Sequence, residues 1–392
     1  MPTMTNRINS QRTMILLSAA IVVLILATTP LQVLAQQEMI WGPHDPVEIE
    51  AYVDGLMDAS MSQNNVPGAV VVIVKEGEVL FANGYGYADR ENQKPVNPAT
   101  TLFRPGSVSK LFTWTAVMQL VEQGKIDLDT DINEYLDFRI PNTFETPITI
   151  THLMTHTPGF EDKGQGLFKI DEDELSTIGE YLKTNIPARV FEPGTVGAYS
   201  NYGTALAGYI VELVSGMPFE TYIEENILQP LEMDHSTFRQ PLPDALRDHM
   251  AQSYNYANGE WVEGPFEFVV GAPAGALSAS GLDMANFMVM HLSDGRFNGN
   301  QILEEETINL MHNPLYSPDP RMNGMAYGFF TSHKNGQFVL HHGGDTMMFH
   351  SELLLLPAED VGIYISTSGT NGRSVVDTFV SSFMNHFYPT LQ

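Results

Sequence analysis

Apolar residues recur along this chain with two different periods. In "VEIEAYVDGLMDASM", Ile49, Val53, Leu56 and Met57 fall on one stripe at helical spacing. The next stretch, "PGAVVVIVKEGEVLFANGYGYAD", is a β-branched run, a turn at Glu76-Gly77 and a second short run, which predicts a hairpin. From Ser107 to about Leu292 the pattern is mostly helical. "SKLFTWTAVMQLVEQG", "NYGTALAGYIVELVSG" and "GLDMANFMVMHLSDG" each close on a glycine suited to a helix C-terminus, and "ITITHLMTHTPG" reads as a short helix closed by Pro158-Gly159. Residues 161–190 are polar and acidic and read as a surface excursion.

Strand-like runs return near the C-terminus in "GQFVLHHGG", "SELLLLPAED" and "VGIYISTSG". The last element, "RSVVDTFVSSFMNHFY", places Val375, Val376, Phe379, Val380, Phe383, Met384 and Phe387 on one helical face, which predicts packing on a sheet. Helix and strands open the chain, helices fill its middle, and strands and a helix close it. The economical arrangement is an α/β fold of α+β type. One antiparallel sheet, flanked by helices, is built from both chain ends, with an all-helical domain inserted at about 107–295. A cleft would lie between the two parts, where ligand sites tend to form.

The N-terminus breaks this pattern. Arg7 and Arg12 precede the apolar run "MILLSAAIVVLILA" (Met14 to Ala27), and Val33 and Ala35 stand at the −3 and −1 positions of a cleavage site. This fits a secretory signal peptide over 1–35, with a linker at 36–46 and the main domain at 47–392. An uncleaved single-span anchor is the alternative, and only that would tether the chain to a membrane. Either way the bulk of the chain is expected to be exported, secreted or periplasmic.

Composition narrows the functions. The 392 residues are 43% hydrophobic and 17% charged, a globular balance with ample core. Net charge is −28, so a nucleic-acid partner is not expected. There is no cysteine, hence no disulfide framework and no thiolate nucleophile.

The candidate chemistry begins in "FRPGSVSKLFTWTAV". Ser107 stands at a predicted helix start and Lys110 follows three residues later, on the same face. A serine hydroxyl needs a base to take its proton, and a lysine in a dry cleft can lose enough basicity to serve. At a helix start the Ser107 N–H is an unpaired donor that can face a developing oxyanion. With eight lysines in the chain, about half a Ser-x-x-Lys match would arise by accident, so the pair alone reads as a cap serine and a solvated lysine.

Two further motifs change that reading. "GAYSNYG" carries Tyr199 and Asn201 just before a predicted helix, and "VLHHGGDTMMFHS" carries His342, Gly343 and Gly344 on a predicted strand. With these, the chain resembles the serine β-lactamase and penicillin-binding-protein superfamily, in its class C-like, esterase and D-peptidase branch. That group carries Ser-x-x-Lys, Tyr-x-Asn, and a Lys- or His-containing strand motif ending in Gly, in this order. "ITITHLMTHTPGF", "PGTVGAYSNYG", "ILQPLEMDHSTF" and "PAGALSASGLDMANF" are similar to the family's text as well, and the resemblance spans about Val47 to Tyr388.

The resemblance implies roles. Ser107 is acylated, Lys110 positions and helps deprotonate it, and Tyr199 is the base for acylation and later for water. Asn201 bonds the substrate amide and steadies Lys110. His342 takes the place of the strand lysine, bonding Tyr199 or a substrate carboxylate, with Gly343 and Gly344 beside the substrate. The backbone N–H groups of Ser107 and Asp345 form the oxyanion hole. No cofactor or metal is implied, and the partner is a small-molecule or peptide substrate: an ester, an amide, a short D-amino-acid peptide or a β-lactam.

Two positions depart from the family pattern. His342 is a neutral imidazole at ordinary pH, which favours esters, amides and small peptides over efficient β-lactam hydrolysis. Asp345 brings a carboxylate to the proposed oxyanion strand, and Met347 and Met348 follow it, lining an apolar acyl pocket or packing in the core. Two competitors remain. A metallohydrolase could use His341, His342, Asp345 and His350, but no His-Glu-x-x-His occurs, and neighbouring strand residues face opposite ways. A catalytically weak binding or regulatory module of the same fold is the other. An α/β-hydrolase is excluded because no Gly-x-Ser-x-Gly elbow occurs.

Overall fold

A computed structural model describes residues 41–390, apart from 163 and 165. The expected signal segment at 1–35 and residues 36–40 of the expected linker lie outside the described residues. Helix α1 (Pro46–Asn64) starts where the apolar stripe predicts, with the Asp45 side chain accepting from the Val47 N–H. Strands β1 (Gly68–Lys75) and β2 (Glu78–Asp89) form the hairpin, paired from Lys75↔Glu78 so that Glu76-Gly77 is its two-residue turn. The short β3 (Lys94–Pro95) edges the sheet.

The chain returns to this sheet only after residue 323. Strands β4 (Gly324–Met325), β5 (Phe330–Lys334), β6 (Gln337–Asp345), β7 (Phe349–Leu356) and β8 (Val361–Ser368) complete it in the order β4-β5-β6-β7-β8-β1-β2-β3. Every pairing is antiparallel. N-terminal β1 lies against C-terminal β8, so both chain ends build one sheet, as expected. The first seven of the eight β1 residues are buried, because both faces of this strand are covered. Ala69, Val71 and Ile73 face one core, shared with α1 and the C-terminal helix α7 (Gly372–Phe387). Val70, Val72 and Val74 face the second core, shared with the helical part. Burying each valine or isoleucine contributes roughly 1.5–3 kcal/mol. The whole predicted stripe of α7 is apolar packing against that first core.

The inserted part carries helices α2 (Ser109–Glu122), α3 (Ile150–Met154), α4 (Ile178–Thr184), α5 (Asn201–Ser215) and α6 (Gly281–Leu292). It is not all helical, however. Tyr254–Ala257 pairs with Glu260–Glu263, and two-residue strands pair at 168–169 with 268–269 and at 236–237 with 278–279. Pieces of two to four residues are too short to show a period of two. Nor is 161–190 wholly a surface excursion, since α4 buries Ile178 and Leu182.

Candidate active site

Ser107 lies in a single tight helical turn, Gly106–Val108, and α2 proper begins at Ser109. Gly106 has φ +55°, and a Cβ there would approach the Asp345 backbone nitrogen to 2.7 Å. Gly344 meets the same turn from the other side. A Cβ on it would fall 1.9 Å from the Pro105 carbonyl oxygen and 2.8 Å from the Ser107 nitrogen. The two glycines thus let the end of β6 press against the turn that carries Ser107. Thr346 N–H donates to the Phe349 carbonyl at 2.8 Å, into β7. Alternation along the strand turns the neighbouring Asp345 N–H to the opposite edge, toward Ser107.

Helix α2 presents an unusual buried polar face to the loop before α6. Ser109 Oγ donates to the Gly106 carbonyl at 2.6 Å and accepts from Leu277 N–H at 3.2 Å. Thr113 Oγ1 donates to the Pro273 carbonyl at 2.7 Å. Lys110, wholly buried, has its Nζ 3.1 Å from Ser107 Oγ, 2.8 Å from Asn201 Oδ1 and 2.6 Å from the Ala274 carbonyl. Three acceptors match the three N–H bonds of an ammonium. Burial nevertheless disfavours the charge and lowers the pKa to about 7, with Asp162 pulling weakly the other way. A group at that value holds both protonation states near neutrality.

Asn201 is the first residue of α5, whose N-cap is Ser200, its Oγ accepting from Gly203 N–H at 3.0 Å. Tyr199 stands just before it. Its ring lies 5.0 Å under the Lys110 Nζ and packs on Phe330, with ring centres 6.3 Å apart. Burial raises its phenol well above the ordinary value, and a hydrogen bond with Ser107 offsets part of this. Tyr199 is therefore a neutral phenol in the free protein.

His342 is buried on β6, its ring 5.2 Å from that of Phe330 and 6.3 Å from that of Tyr199. Its Nδ1 lies 2.6 Å from the Gly343 carbonyl, while Nε2 is buried without a protein partner. Burial first, then the Lys110 charge, pushes its pKa down to about 3, so it is neutral throughout the working range. The expected contact to Tyr199 is thus ring packing, with Nδ1 engaged by the backbone.

Alternation along β6 separates two chemistries. His342 and Gly344 face the cleft, while His341, Gly343 and Asp345 face α7. The Asp345 carboxylate pairs with His350 Nδ1 at 2.6 Å and lies 3.7 Å from Arg373. His341 pairs with Glu352 at 2.9 Å. The four residues considered for a metal do not converge, and among the described residues no group of three or more His, Cys, Asp or Glu is placed to hold one. Met348 is 7% exposed and belongs to the core, and Met347 is 49% exposed. Neither lines the cavity of about 430 Å³ beside Tyr199, whose walls include Phe330, Met325 and Tyr316.

Among the site residues that escaped sequence reasoning are Glu267 and Arg104. Glu267, 2% exposed, accepts from the Thr346 hydroxyl and from Met347 N–H at 2.8 Å. Buried Arg104 donates to the Glu267 carbonyl at 2.5 Å. Together they tie the segment before Ser107 to the segment after Asp345. No local pattern announces them, because they lie 163 residues apart in the chain.

Known proteins carry the same arrangement of chain. A family model described as "Beta-lactamase" matches residues 50–380. Protein flp of Staphylococcus aureus (strain N315) is 26% identical over 323 residues, 80% of this chain and 62% of that protein. The chain thus spans about 62% of the length of that curated relative. A beta-lactamase of Yersinia enterocolitica is 24% identical over 361 residues, 91% of this chain and 88% of that one. Among solved structures, the octameric penicillin-binding protein homologue from Pyrococcus abyssi superposes with a TM-score of 0.74 at 27% identity, over 86% of this chain and 79% of that one. A beta-lactamase/D-alanine carboxypeptidase from Pseudomonas syringae has the same fold, with a TM-score of 0.69 at 20% identity, over 86% and 99% of the two chains.

Proposed function

Because the chain belongs to the beta-lactamase family, we propose that it is an exported serine hydrolase that forms an acyl-enzyme at Ser107. Its substrates are carboxylic esters, amides or short peptides, including D-amino-acid peptides, with β-lactams as weaker substrates. The single observation that carries this reading is the 3.1 Å contact between Ser107 Oγ and the Nζ of a buried lysine whose pKa is about 7.

Neutral Lys110 takes the proton from Ser107 as Oγ attacks the carbonyl carbon. The carbonyl oxygen becomes an oxyanion, held by the N–H groups of Ser107 and Asp345. Tyr199 gives its proton to the leaving group, and the Lys110 ammonium restores it. Water then attacks the ester by the reverse proton path and frees the acid. The raised phenol of Tyr199 favours this donor and relay role over the resident-base role that the family resemblance implies. Asn201 holds Lys110 and faces the substrate amide. His342 and Gly344 line the substrate side without adding a charge, whereas Gly343, expected beside the substrate, faces Glu352 and Arg373 on the other side of the sheet because strand neighbours alternate.

An Asp345 carboxylate facing the oxyanion site would favour the catalytically weak binding module. That group is turned toward His350 and Arg373, which favours turnover. Export rests on the N-terminal sequence. Among the described residues, no helix is long and apolar enough to cross a membrane. The substrate class is tested by comparing release rates for a short-chain aryl ester, a D-alanyl amide and a penicillin. Ester or amide turnover exceeding penicillin turnover is expected, and the reverse order would overturn the preference.

A further inference from the structure

His156 belongs to no motif with an assigned role, yet it holds the segment around Tyr199 from three directions. Its carbonyl accepts from Ala198 N–H at 2.7 Å. Its Nδ1 accepts from Ser200 N–H at 3.2 Å. These bonds fasten the backbone on both sides of Tyr199. Its ring then packs on the Tyr199 ring, with centres 4.4 Å apart. The residue is 3% exposed, and its backbone is left-handed at φ +53°, a region that few residues other than glycine enter, histidine, asparagine and aspartate more readily than the rest. A position that keeps such a backbone is held by its surroundings. On one side Thr157 N–H donates to the His152 carbonyl at 2.8 Å, and Gly194 N–H donates to the Thr157 carbonyl at 2.9 Å. His152 in turn closes the capping box of α3 with Thr149.

We propose that His156 is the positioning residue for Tyr199, and that its neutral ring, accepting at Nδ1, sets where the Tyr199 hydroxyl meets Ser107. This rests on the reading of Tyr199 as the proton carrier. An Nδ1 that accepts from an N–H carries no proton, so the ring holds its proton on Nε2. Burial and the nearby Lys110 charge keep it neutral, well below its ordinary pKa. A tyrosine that must exchange protons between serine, lysine and leaving group tolerates little misplacement. Two backbone anchors and one ring contact remove the freedom it would otherwise have at the entry to α5.

The test compares His156→Asn with His156→Gly. Both residues tolerate the left-handed backbone, and both lose the ring contact. Only asparagine keeps an acceptor within reach of Ser200 N–H. Ester turnover, thermal melting and amide exchange over 198–200 are measured in each full-length variant. In folded protein, His156→Gly is expected to lower kcat by about tenfold or more with KM within about threefold. His156→Asn is expected to recover most of that loss and to keep the 198–200 amides slow to exchange. Wild-type kcat in His156→Gly, or equal loss and equal exchange in both variants, would overturn the proposal. If Ser107→Ala hydrolysed the ester as well as wild type, the serine-hydrolase reading would fall instead. The exchange comparison alone would then decide whether His156 anchors the segment.

Discussion

The Asp345 carboxylate lies 2.6 Å from His350 Nδ1, on the face of the sheet away from Ser107. The same residue turns its backbone N–H the other way, toward the nucleophile. Side chain and backbone of one residue therefore act on opposite faces of β6. Asp345→Asn should leave neutral-ester hydrolysis within about threefold of wild type, because only the backbone serves the oxyanion. A loss of a hundredfold in steady-state assays would mean that the carboxylate itself is needed.

Gly344→Ala should be far more damaging than Asp345→Asn. Its Cβ would sit 1.9 Å from the Pro105 carbonyl oxygen, so strand and turn must separate. Losing one aligned oxyanion donor costs about 10²–10³ in kcat. Circular dichroism should show the sheet intact while turnover is lost.

Lys110 sets the pH dependence. The neutral amine is the active form, so kcat/KM should rise with pH and level off above about 7. The stability sign follows from the same value. The folded pKa of about 7 lies below the ordinary 10.5, so the unfolded chain binds more protons between them. The cost of burying the ammonium is full below about 7 and gone above 10.5. Lys110→Met should therefore abolish activity, and its melting temperature relative to wild type should be higher at pH 6 than at pH 10. A profile flat through pH 7, or a relative gain that grows with pH, would contradict this assignment.

The sequence legibly carried what short-range pattern encodes. The 3.6 period of α7 and the β-branched run of β1 follow from faces buried along a single element. Ser107 and Lys110 share one helical face, and His341 and His342 alternate on one strand. Those relations are local, and they survive in the structure. Missed were β4 and β5, where Gly324–Met325 is too short for a period and Phe330–Lys334 mixes buried and open positions. Glu267, Arg104, Phe330 and His156 were missed because their contacts cross long stretches of chain. The sequence also left the Asp345 direction open. The register Asp345↔His350 across β6 and β7 settles it, and register is a tertiary property.

His342 should contribute no charge. Its pKa of about 3 leaves the imidazole neutral from pH 5 to 9, so no limb of the pH profile should belong to it. A lysine there would offer a cation to a substrate carboxylate. His342→Lys should lower KM for a penicillin by about tenfold relative to a neutral ester. Equal changes for both substrates would place the substrate carboxylate elsewhere.

The most direct measurement is the intact mass of the protein after incubation with a fluorophosphonate and with an aryl ester, beside Ser107→Ala, with ester release followed in the same tubes. The expected result is one phosphonyl adduct per wild-type chain, absent in Ser107→Ala, together with continuing ester release that also requires Ser107. Ester release at the wild-type rate in Ser107→Ala, or folded wild-type protein that takes up no adduct, would contradict the central claim that Ser107 is the nucleophile.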